Sequence, residues 1–182
     1  MAQVIVDTGP LVAILDASDS FHGWASESLK TIDPPLLTCE AVLTEVCFLL
    51  RRHQKALAVI ALLIERGILA PNFSLAREFA PVFQLVKRFK SVPMSLADAC
   101  LVRLSELNPE CHVFTLDTDF QIYRRHRRQK IPLLTPGRRL LNSNLRITAR
   151  LSSVQALGHA PLRSWFRRGG YCMTVDVMQF PG

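Results

Sequence analysis

Two strand-like stretches of this sequence are each followed directly by a carboxylate. Asp7 comes after VIV (4–6), and Asp117, with Asp119 two positions on, comes after HVFTL (112–116). A lone aspartate in this position usually caps the helix that follows, because its oxygen accepts a hydrogen bond from a first-turn N–H group. Acids at the ends of two buried strands also permit a second interpretation, in which both belong to one charged site.

Two predicted helices add carboxylates that a plain apolar core does not explain. In CEAVLTEVCFLLRR (39–52), Glu45 lies in the middle of the apolar stripe, where an unpaired carboxylate is costly unless a cation matches it. In PMSLADACLVRLSEL (93–107), Asp98 also has apolar neighbours one turn on. Ser95 stands three residues before it, as in a capping box, so structural and functional roles are equally open for Asp98 taken alone.

Neither helix carries a lysine or arginine on the matching face, and a bound metal ion is the simplest counter-charge. Carboxylates grouped without Cys or His are hard oxygen ligands, which suit Mg²⁺ or Mn²⁺ better than zinc or copper. Such ions serve phosphate chemistry, because they activate a water and neutralise charge on the transition state. The predicted site consists of Asp7, Glu45, Asp98 and Asp117, flanked by Asp119.

Short apolar strands alternate with helices as far as Pro136, which predicts an α/β fold with a parallel sheet covered on both faces. The predicted strands are 4–6, 35–38, 67–73, 111–116 and 131–134. The predicted helices are 10–16, 22–31, 40–52, 54–65, 74–90, 95–107 and 118–125. In such sheets ligands bind outside the carboxyl ends of the strands, which is where Asp7 and Asp117 stand.

Positive residues follow the Asp117 loop and are interleaved with Tyr123 and His126. A ring of carboxylates alone would repel phosphate, so cations and stacking groups close to it predict contact with RNA. The alternative is a solvated surface helix. The predicted RNA-binding residues are Arg124, Arg125, Arg127, Arg128 and Lys130.

A length of 182 residues with 49% hydrophobic content suits one globular domain. No apolar run is long enough to cross a bilayer and MAQVIVDTGP has no signal pattern, so we expect a cytoplasmic protein without a membrane partner. The five cysteines include no CxxC pair and mostly lie in apolar segments, which predicts buried thiols rather than disulfides or a zinc site.

The net charge of +7 is unevenly distributed along the chain. Residues 137–182 contain seven arginines and one acid, Asp176, which gives them +6 and leaves +1 for residues 1–136. The segment also lacks lysine and any sustained hydrophobic period. We therefore expect a nuclease-like domain at 1–136 and a poorly ordered Arg-rich C-terminal extension at 137–182, with a nucleic-acid-binding arm as the alternative for that extension.

The succession of VIVDTGPLVAILD, EAVLTEV, MSLADACLVRL and FTLDTDF resembles the PIN-domain family of metal-dependent ribonucleases, most closely the small bacterial VapC-type toxins. The resemblance covers about residues 2–135. It implies a three-layer α/β/α sandwich with a central parallel sheet of about five strands. It also implies that Mg²⁺ or Mn²⁺ is bound by the catalytic acids Asp7, Glu45, Asp98 and Asp117, with Asp119 as a variable fifth acid and Thr8 and Thr115 as supporting hydroxyls.

The activity that this resemblance implies is RNA phosphodiester hydrolysis leaving 5′-phosphate and 3′-hydroxyl ends, commonly by a homodimer. Toxin members pair with an antitoxin encoded beside them. Two alternatives remain: a PIN-like protein that holds RNA or a partner without cutting, and a housekeeping RNA-processing nuclease. A phosphoaspartyl phosphatase is disfavoured, because its loop would normally carry a second aspartate at the position of Gly9.

Overall fold

The computed structural model of this chain describes residues 3–92 and 94–137, without the side chain of Gln54. The predicted Arg-rich extension lies outside the described residues, except for Gly137. Its order and its boundary near Pro136 therefore stay predictions.

The centre of the fold is a five-stranded sheet in which every neighbouring pair is parallel, in the order β3-β2-β1-β4-β7. Its strands are β1 (Val4–Val6), β2 (Leu36–Leu37), β3 (Leu69–Ala70), β4 (His112–Phe114) and β7 (Leu133–Leu134). Each lies within a predicted strand, and all but β1 are shorter than predicted. The predicted α/β class and parallel sheet are confirmed.

Both faces of this sheet are covered, as the central strand β1 demonstrates. Its three residues Val4, Ile5 and Val6 are all buried, and successive strand residues point to opposite faces. Apolar layers must therefore pack above and below the sheet. The layers come from helices, which confirms the predicted α/β/α sandwich of about five strands.

The helices agree with the predicted ones to within three residues at each end. They are α1 (Thr8–Leu15), α2 (His22–Leu29), α3 (Glu40–Leu49), α4 (Gln54–Glu65), α5 (Leu75–Arg88) and α6 (Leu96–Leu107). One aromatic pair illustrates how they are anchored: the ring of Trp24 in α2 meets the fully buried ring of Phe114 in β4 edge-on, with centroids 5.2 Å apart.

The predicted helix at 118–125 is wrong beyond its first turn. A 3₁₀ helix at Thr118–Gln121 is followed by β5 (Arg124–Arg125), which pairs antiparallel with β6 (Gln129–Lys130). The Arg124 guanidinium donates to the carbonyls of residues 121–123, which closes the end of the 3₁₀ helix. In the hairpin the chain reverses instead, at His126 and Arg127, whose φ angles are 46° and 69°.

The thiol prediction holds for three of the four cysteines in the described part of the chain. Cys39, Cys100 and Cys111 are buried and free, whereas Cys47 is free but exposed on α3. Cys172 lies outside the described residues. Within residues 3–92 and 94–137, no helix combines the length and the apolar character that crossing a membrane requires.

Candidate active site

The sheet topology brings the first and last predicted acids to one edge. Strands β1 and β4 are parallel neighbours with Val6 opposite Phe114, so the residues that follow them leave the sheet side by side. The backbone N–H of Asp7 donates to the Phe114 carbonyl at 3.0 Å. Asp7 and Asp117 therefore stand at the carboxyl ends of adjacent central strands, as predicted.

A glycine allows these two loops to approach each other closely. Gly9, in the first turn of α1, lies against Leu116, which directly precedes Asp117. A Cβ at position 9 would be 3.1 Å from the Leu116 Cβ, which is closer than ordinary van der Waals contact. The missing side chain thus lets the first turn of α1 pack beside the loop after β4.

Asp7 is the most buried acid of the site. Its Oδ1 accepts the Thr8 N–H at 2.7 Å, and its Oδ2 accepts the Thr115 hydroxyl at 2.7 Å. Burial raises the pKa of Asp7 to about 6, against these two hydrogen bonds, which lower it; the charges of Asp98 and Asp117 raise it further. Asp7 is both the N-cap of α1 and an electrostatic neighbour of the other acids, so the structural and functional interpretations coexist.

Two threonines connect Asp7 to other acids. The Thr8 hydroxyl donates to Glu45 Oε2 at 2.8 Å, which links the start of α1 to the middle of α3. The Thr115 Oγ1 accepts the Asp117 N–H at 2.9 Å while it donates to Asp7. Thr8 and Thr115 thus each bond to two of the acids, and the supporting role that the family resemblance implied for them stays a prediction.

Asp98 makes the capping box that its sequence suggested. Its Oδ2 accepts the Ser95 N–H at 2.9 Å, and its own N–H donates to Ser95 Oγ at 3.0 Å. The same Oδ2 also accepts the Tyr123 hydroxyl at 3.3 Å. Burial raises the pKa of Asp98, and the nearby charge of Asp117 raises it further. The cap holds the carboxylate at the start of α6 and does not remove it from the acid group.

Three of these acids each keep one carboxylate oxygen that accepts no hydrogen bond from the described residues. Glu45 is bonded only through Oε2, Asp98 only through Oδ2, and Asp117 only through Oδ1, which accepts the Asp119 N–H at 2.8 Å. Among the residues that the structure describes, no protein donor meets the other oxygen of each acid. One oxygen of each carboxylate is thus held in place, and the second is available to a cation or to water.

The acids influence one another electrostatically but do not enclose a preformed metal-binding site. Within the described ranges, no three Asp, Glu, His or Cys side chains stand together closely enough to hold a metal ion. The donor set nevertheless consists of carboxylate oxygens, and burial and mutual repulsion raise the pKa of two of them. A hard divalent cation suits such a set, since it would relieve the repulsion between the charges.

Tyr123 was predicted as a stacking group for RNA, and this prediction is wrong. Its side chain is fully buried, with its ring edge-on to Phe89 and Phe120 at centroid distances of 5.2 and 5.4 Å. Burial raises the pKa of Tyr123, and the charge of Asp98 does so next, so its hydroxyl keeps the proton that it donates to Asp98. No sequence pattern signals this contact, because the two residues are 25 positions apart.

The predicted basic rim is only partly at the surface. Arg125 is buried and donates to the Ser105 carbonyl at 3.2 Å, so the prediction that it binds RNA is contradicted. Arg124 is half-buried and donates to three successive carbonyls at residues 121–123, which satisfies the end of the 3₁₀ helix. The exposed members of the predicted rim are Arg127, Arg128 and Lys130.

The position of the hairpin also differs from the prediction. The backbone N–H of His126, at the hairpin tip, donates to Glu106 Oε1 near the end of α6, whereas Asp98 lies in its first turn. Eight residues of α-helix separate these points, which corresponds to about 12 Å. Arg127 and Arg128, beside the tip, therefore stand at some distance from the acids, towards the opposite end of α6, whereas Lys130 pairs with Arg124 at the base of the hairpin.

Comparisons with known proteins agree with this arrangement. The sequence profile of the PIN domain matches residues 4–125, two thirds of the chain. The crystal structure of Mycobacterium tuberculosis VapC20, a sarcin-ricin loop cleaving toxin, has a TM-score of 0.59 to this chain at 24% identity, covering 66% of this chain and 94% of VapC20. No curated protein matches. Because this profile matches two thirds of its residues and its parallel sheet agrees with the fold, the chain belongs to the PIN domain family.

Proposed function

We propose that this protein is a metal-dependent endoribonuclease that hydrolyses RNA phosphodiester bonds, and that it is the toxin of a toxin–antitoxin pair. One observation carries the proposal: carboxylates from four separate segments lie near one another at the carboxyl edge of the sheet, linked through threonine hydrogen bonds or electrostatically coupled. Three of them present an oxygen that no described protein donor meets. The fold likeness to VapC20, a sarcin-ricin loop cleaving toxin, favours RNA as the substrate.

The residues proposed to hold Mg²⁺ or Mn²⁺ are Asp7, Glu45, Asp98 and Asp117, with Asp119 beside them. When bound, such an ion supplies an activated water and charge neutralisation at the phosphate. Binding would require these acids to move closer together than they stand here. The hydrogen bonds of Glu45 to Thr8, of Asp98 to Ser95 and of Asp117 to the Asp119 N–H would limit such a movement.

The protein's own groups have separate tasks in this scheme. The Thr115 hydroxyl holds Asp7 and the Asp117 loop in one geometry, because it bonds both at once. Asp7 must lose its proton to serve as an anionic ligand, and its raised pKa of about 6 leaves it ionised at neutral pH. Tyr123, from the core, and Ser95, from the exposed start of α6, both donate to Asp98 Oδ2 and hold it in place.

The binding partners of this protein are inferred from the proposed function and are proposals as well. We propose RNA as substrate, a homodimer as the assembly, and an antitoxin encoded beside the gene. The exposed cations Arg127, Arg128 and Lys130 are retained as proposed RNA contacts outside the acid group. The two alternatives, a non-catalytic RNA- or partner-binding protein and a housekeeping RNA-processing nuclease, keep the same fold and differ in turnover and in gene neighbourhood.

The direct test is cleavage of end-labelled RNA by Asp98→Asn and Asp117→Asn variants in Mn²⁺ or Mg²⁺. We expect each variant to lose about 10²- to 10³-fold in rate, as when an electrostatic contribution to the transition state is removed. EDTA should abolish the wild-type activity, and the products should carry 5′-phosphate and 3′-hydroxyl ends.

The matched control for these two variants is Asp33→Asn. Asp33 is exposed and precedes β2, at the opposite edge of the sheet, so the rate of this variant should equal that of the wild type. RNA binding without metal-dependent cleavage would favour the non-catalytic alternative. The adjacent reading frame separates a toxin from a housekeeping enzyme, because only the toxin requires an antitoxin gene.

A milder variant tests how Asp98 is positioned. Tyr123→Phe removes one donor to Asp98 Oδ2 and keeps the ring contacts with Phe89 and Phe120. Loss of such an outer hydrogen bond typically weakens metal affinity by about 10-fold or more. We expect this loss in a calorimetric Mn²⁺ titration, with the melting temperature little changed. In an Asp98→Asn background the same substitution should have no further effect, and an equal loss there would disprove the link through Asp98.

A further inference from the structure

Helices α5 and α6 pack antiparallel, as two contacts establish. Glu78 lies near the start of α5 and accepts a hydrogen bond at 2.8 Å from Arg103, which lies in the second half of α6. Just beyond the end of α5, the ring of Phe89 meets that of Tyr123 at 5.2 Å, and Tyr123 donates to Asp98 in the first turn of α6. The C-terminal end of α5 therefore lies beside the acids.

This end of α5 carries three cations in four residues, Lys87, Arg88 and Lys90, and all three are exposed. No ion pair is formed by any of them in the part of the chain that the structure describes. Cations in the last turn of a helix are favoured by its dipole, which accounts for Lys87 and Arg88. Lys90 follows the C-cap residue Phe89, so the helix dipole alone does not explain the group.

The segment that bears these cations is held firmly next to the candidate site. Phe89 packs on Tyr123, whose hydroxyl reaches Asp98. Only four residues lie between Lys90 and Ser95, the cap that bonds Asp98. The cations therefore project from a backbone whose position relative to Asp98 is set on both sides.

The electrostatics of the candidate site require cations in such a place. The acids repel the phosphates of an approaching strand, and cations that neutralise phosphates dominate the affinity of proteins for nucleic acid. Arg127 and Arg128 lie beside the hairpin tip, which is near the far end of α6, about 12 Å along the helix from Asp98. The end of α5, by contrast, is linked to Asp98 through one intervening residue, Tyr123.

We propose that Lys87, Arg88 and Lys90, here called the α5 basic end, form a phosphate-binding surface that holds the RNA backbone beside the acid group. The choice of RNA as the ligand rests on the proposed function; the cation cluster and its position do not. The surface binds the strand through its phosphates and is therefore expected to be insensitive to base sequence.

The test uses the full-length protein and a fluorescein-labelled single-stranded oligoribonucleotide, in EDTA so that no cleavage occurs. The triple variant Lys87→Gln, Arg88→Gln, Lys90→Gln should bind roughly 10-fold more weakly at low salt. Its slope of log affinity against log salt should become shallower by about 2, since each lost phosphate contact on a single strand contributes about 0.7.

A control triple loses the same charge away from the acids. It combines Arg77→Gln, at the opposite end of α5, with Arg52→Gln and Lys55→Gln, around the start of α4, all three exposed in the parent. Its salt slope should stay close to that of the parent. Equal slope changes in the two triples would mean that only net charge matters, and an unchanged slope in the α5 triple would equally overturn the proposal.

Cleavage assays separate this inference from the proposed function. With Mn²⁺, the α5 triple should raise KM and leave kcat nearly unchanged, as expected when binding to ground and transition states is lost alike. If the wild type binds RNA through the α5 basic end but cuts nothing, the nuclease proposal fails and the binding surface stands. If the wild type cuts RNA and the α5 triple cuts it with unchanged KM, the binding surface is disproved and the nuclease stands.

Discussion

Asp7→Asn is expected to abolish RNA cleavage while the metal-free protein becomes at least as stable as the wild type at pH 7. Asp7 is 6% exposed, and burial raises its pKa from 3.8 to about 6. The folded state thus binds the proton of the Asp7 carboxyl group more tightly than the unfolded state does. The resulting stabilisation is complete below about pH 4 and is lost as the pH rises through 6, which amounts to about 3 kcal/mol for a shift of this size.

Asparagine has no charge to desolvate, so the variant avoids this loss. Urea unfolding in EDTA between pH 4 and 8 should therefore show a stability difference between variant and wild type that grows in the variant's favour up to pH 7 and then levels off. The amide can still accept the Thr8 N–H, as Asp7 does now. If the stability difference between variant and wild type did not vary with pH, the inference that burial raises the pKa of Asp7 would be contradicted. Cleavage at the wild-type rate would remove Asp7 from the proposed site.

The parts of the fold that follow from local patterns were predictable. Continuous apolar runs such as VIV identify strands that are buried on both faces, and the alternation with helices requires a parallel sheet. Once the sheet is parallel, Asp7 and Asp117 must stand at the same edge. Glu45 was distinguished by its place in an apolar stripe, but that stripe is only partly in the core, since Phe48 and Leu49 are exposed. The structure nevertheless joins Glu45 to Asp7 through Thr8.

The parts that failed depend on contacts between distant segments. Nothing near Tyr123 in the sequence indicates that its hydroxyl faces Asp98, because α6 and the loop after β4 meet only in the folded chain. Arg125 is indistinguishable in sequence from its exposed neighbours, yet it is buried against Ser105. The α5 basic end was overlooked for the same reason, since its closeness to the acids follows from the antiparallel packing of α5 on α6 and not from spacing along the chain.

A second large effect is expected at Thr115, the fully buried residue that joins two acids. Valine has the same branched shape and suits an extended backbone, so Thr115→Val removes little besides the hydroxyl. It leaves Asp7 Oδ2 without its donor and the Asp117 N–H without its acceptor. Each unsatisfied group costs about 1–3 kcal/mol, and the loss of the donor to Asp7 also removes a contact that lowers its pKa.

The matched control is Thr115→Ser, which keeps the hydroxyl and loses only a methyl group. We expect Thr115→Val to weaken Mn²⁺ binding by about 10- to 100-fold in calorimetric titrations, as removal of an outer-shell partner usually does. Thr115→Ser should bind Mn²⁺ within a few-fold of the wild type. If the valine and serine variants bind Mn²⁺ equally well, the hydroxyl does not organise the acids. If both lose affinity alike, packing at position 115 matters more than the two hydrogen bonds, and Asp7 and Asp117 are held by the strand ends alone.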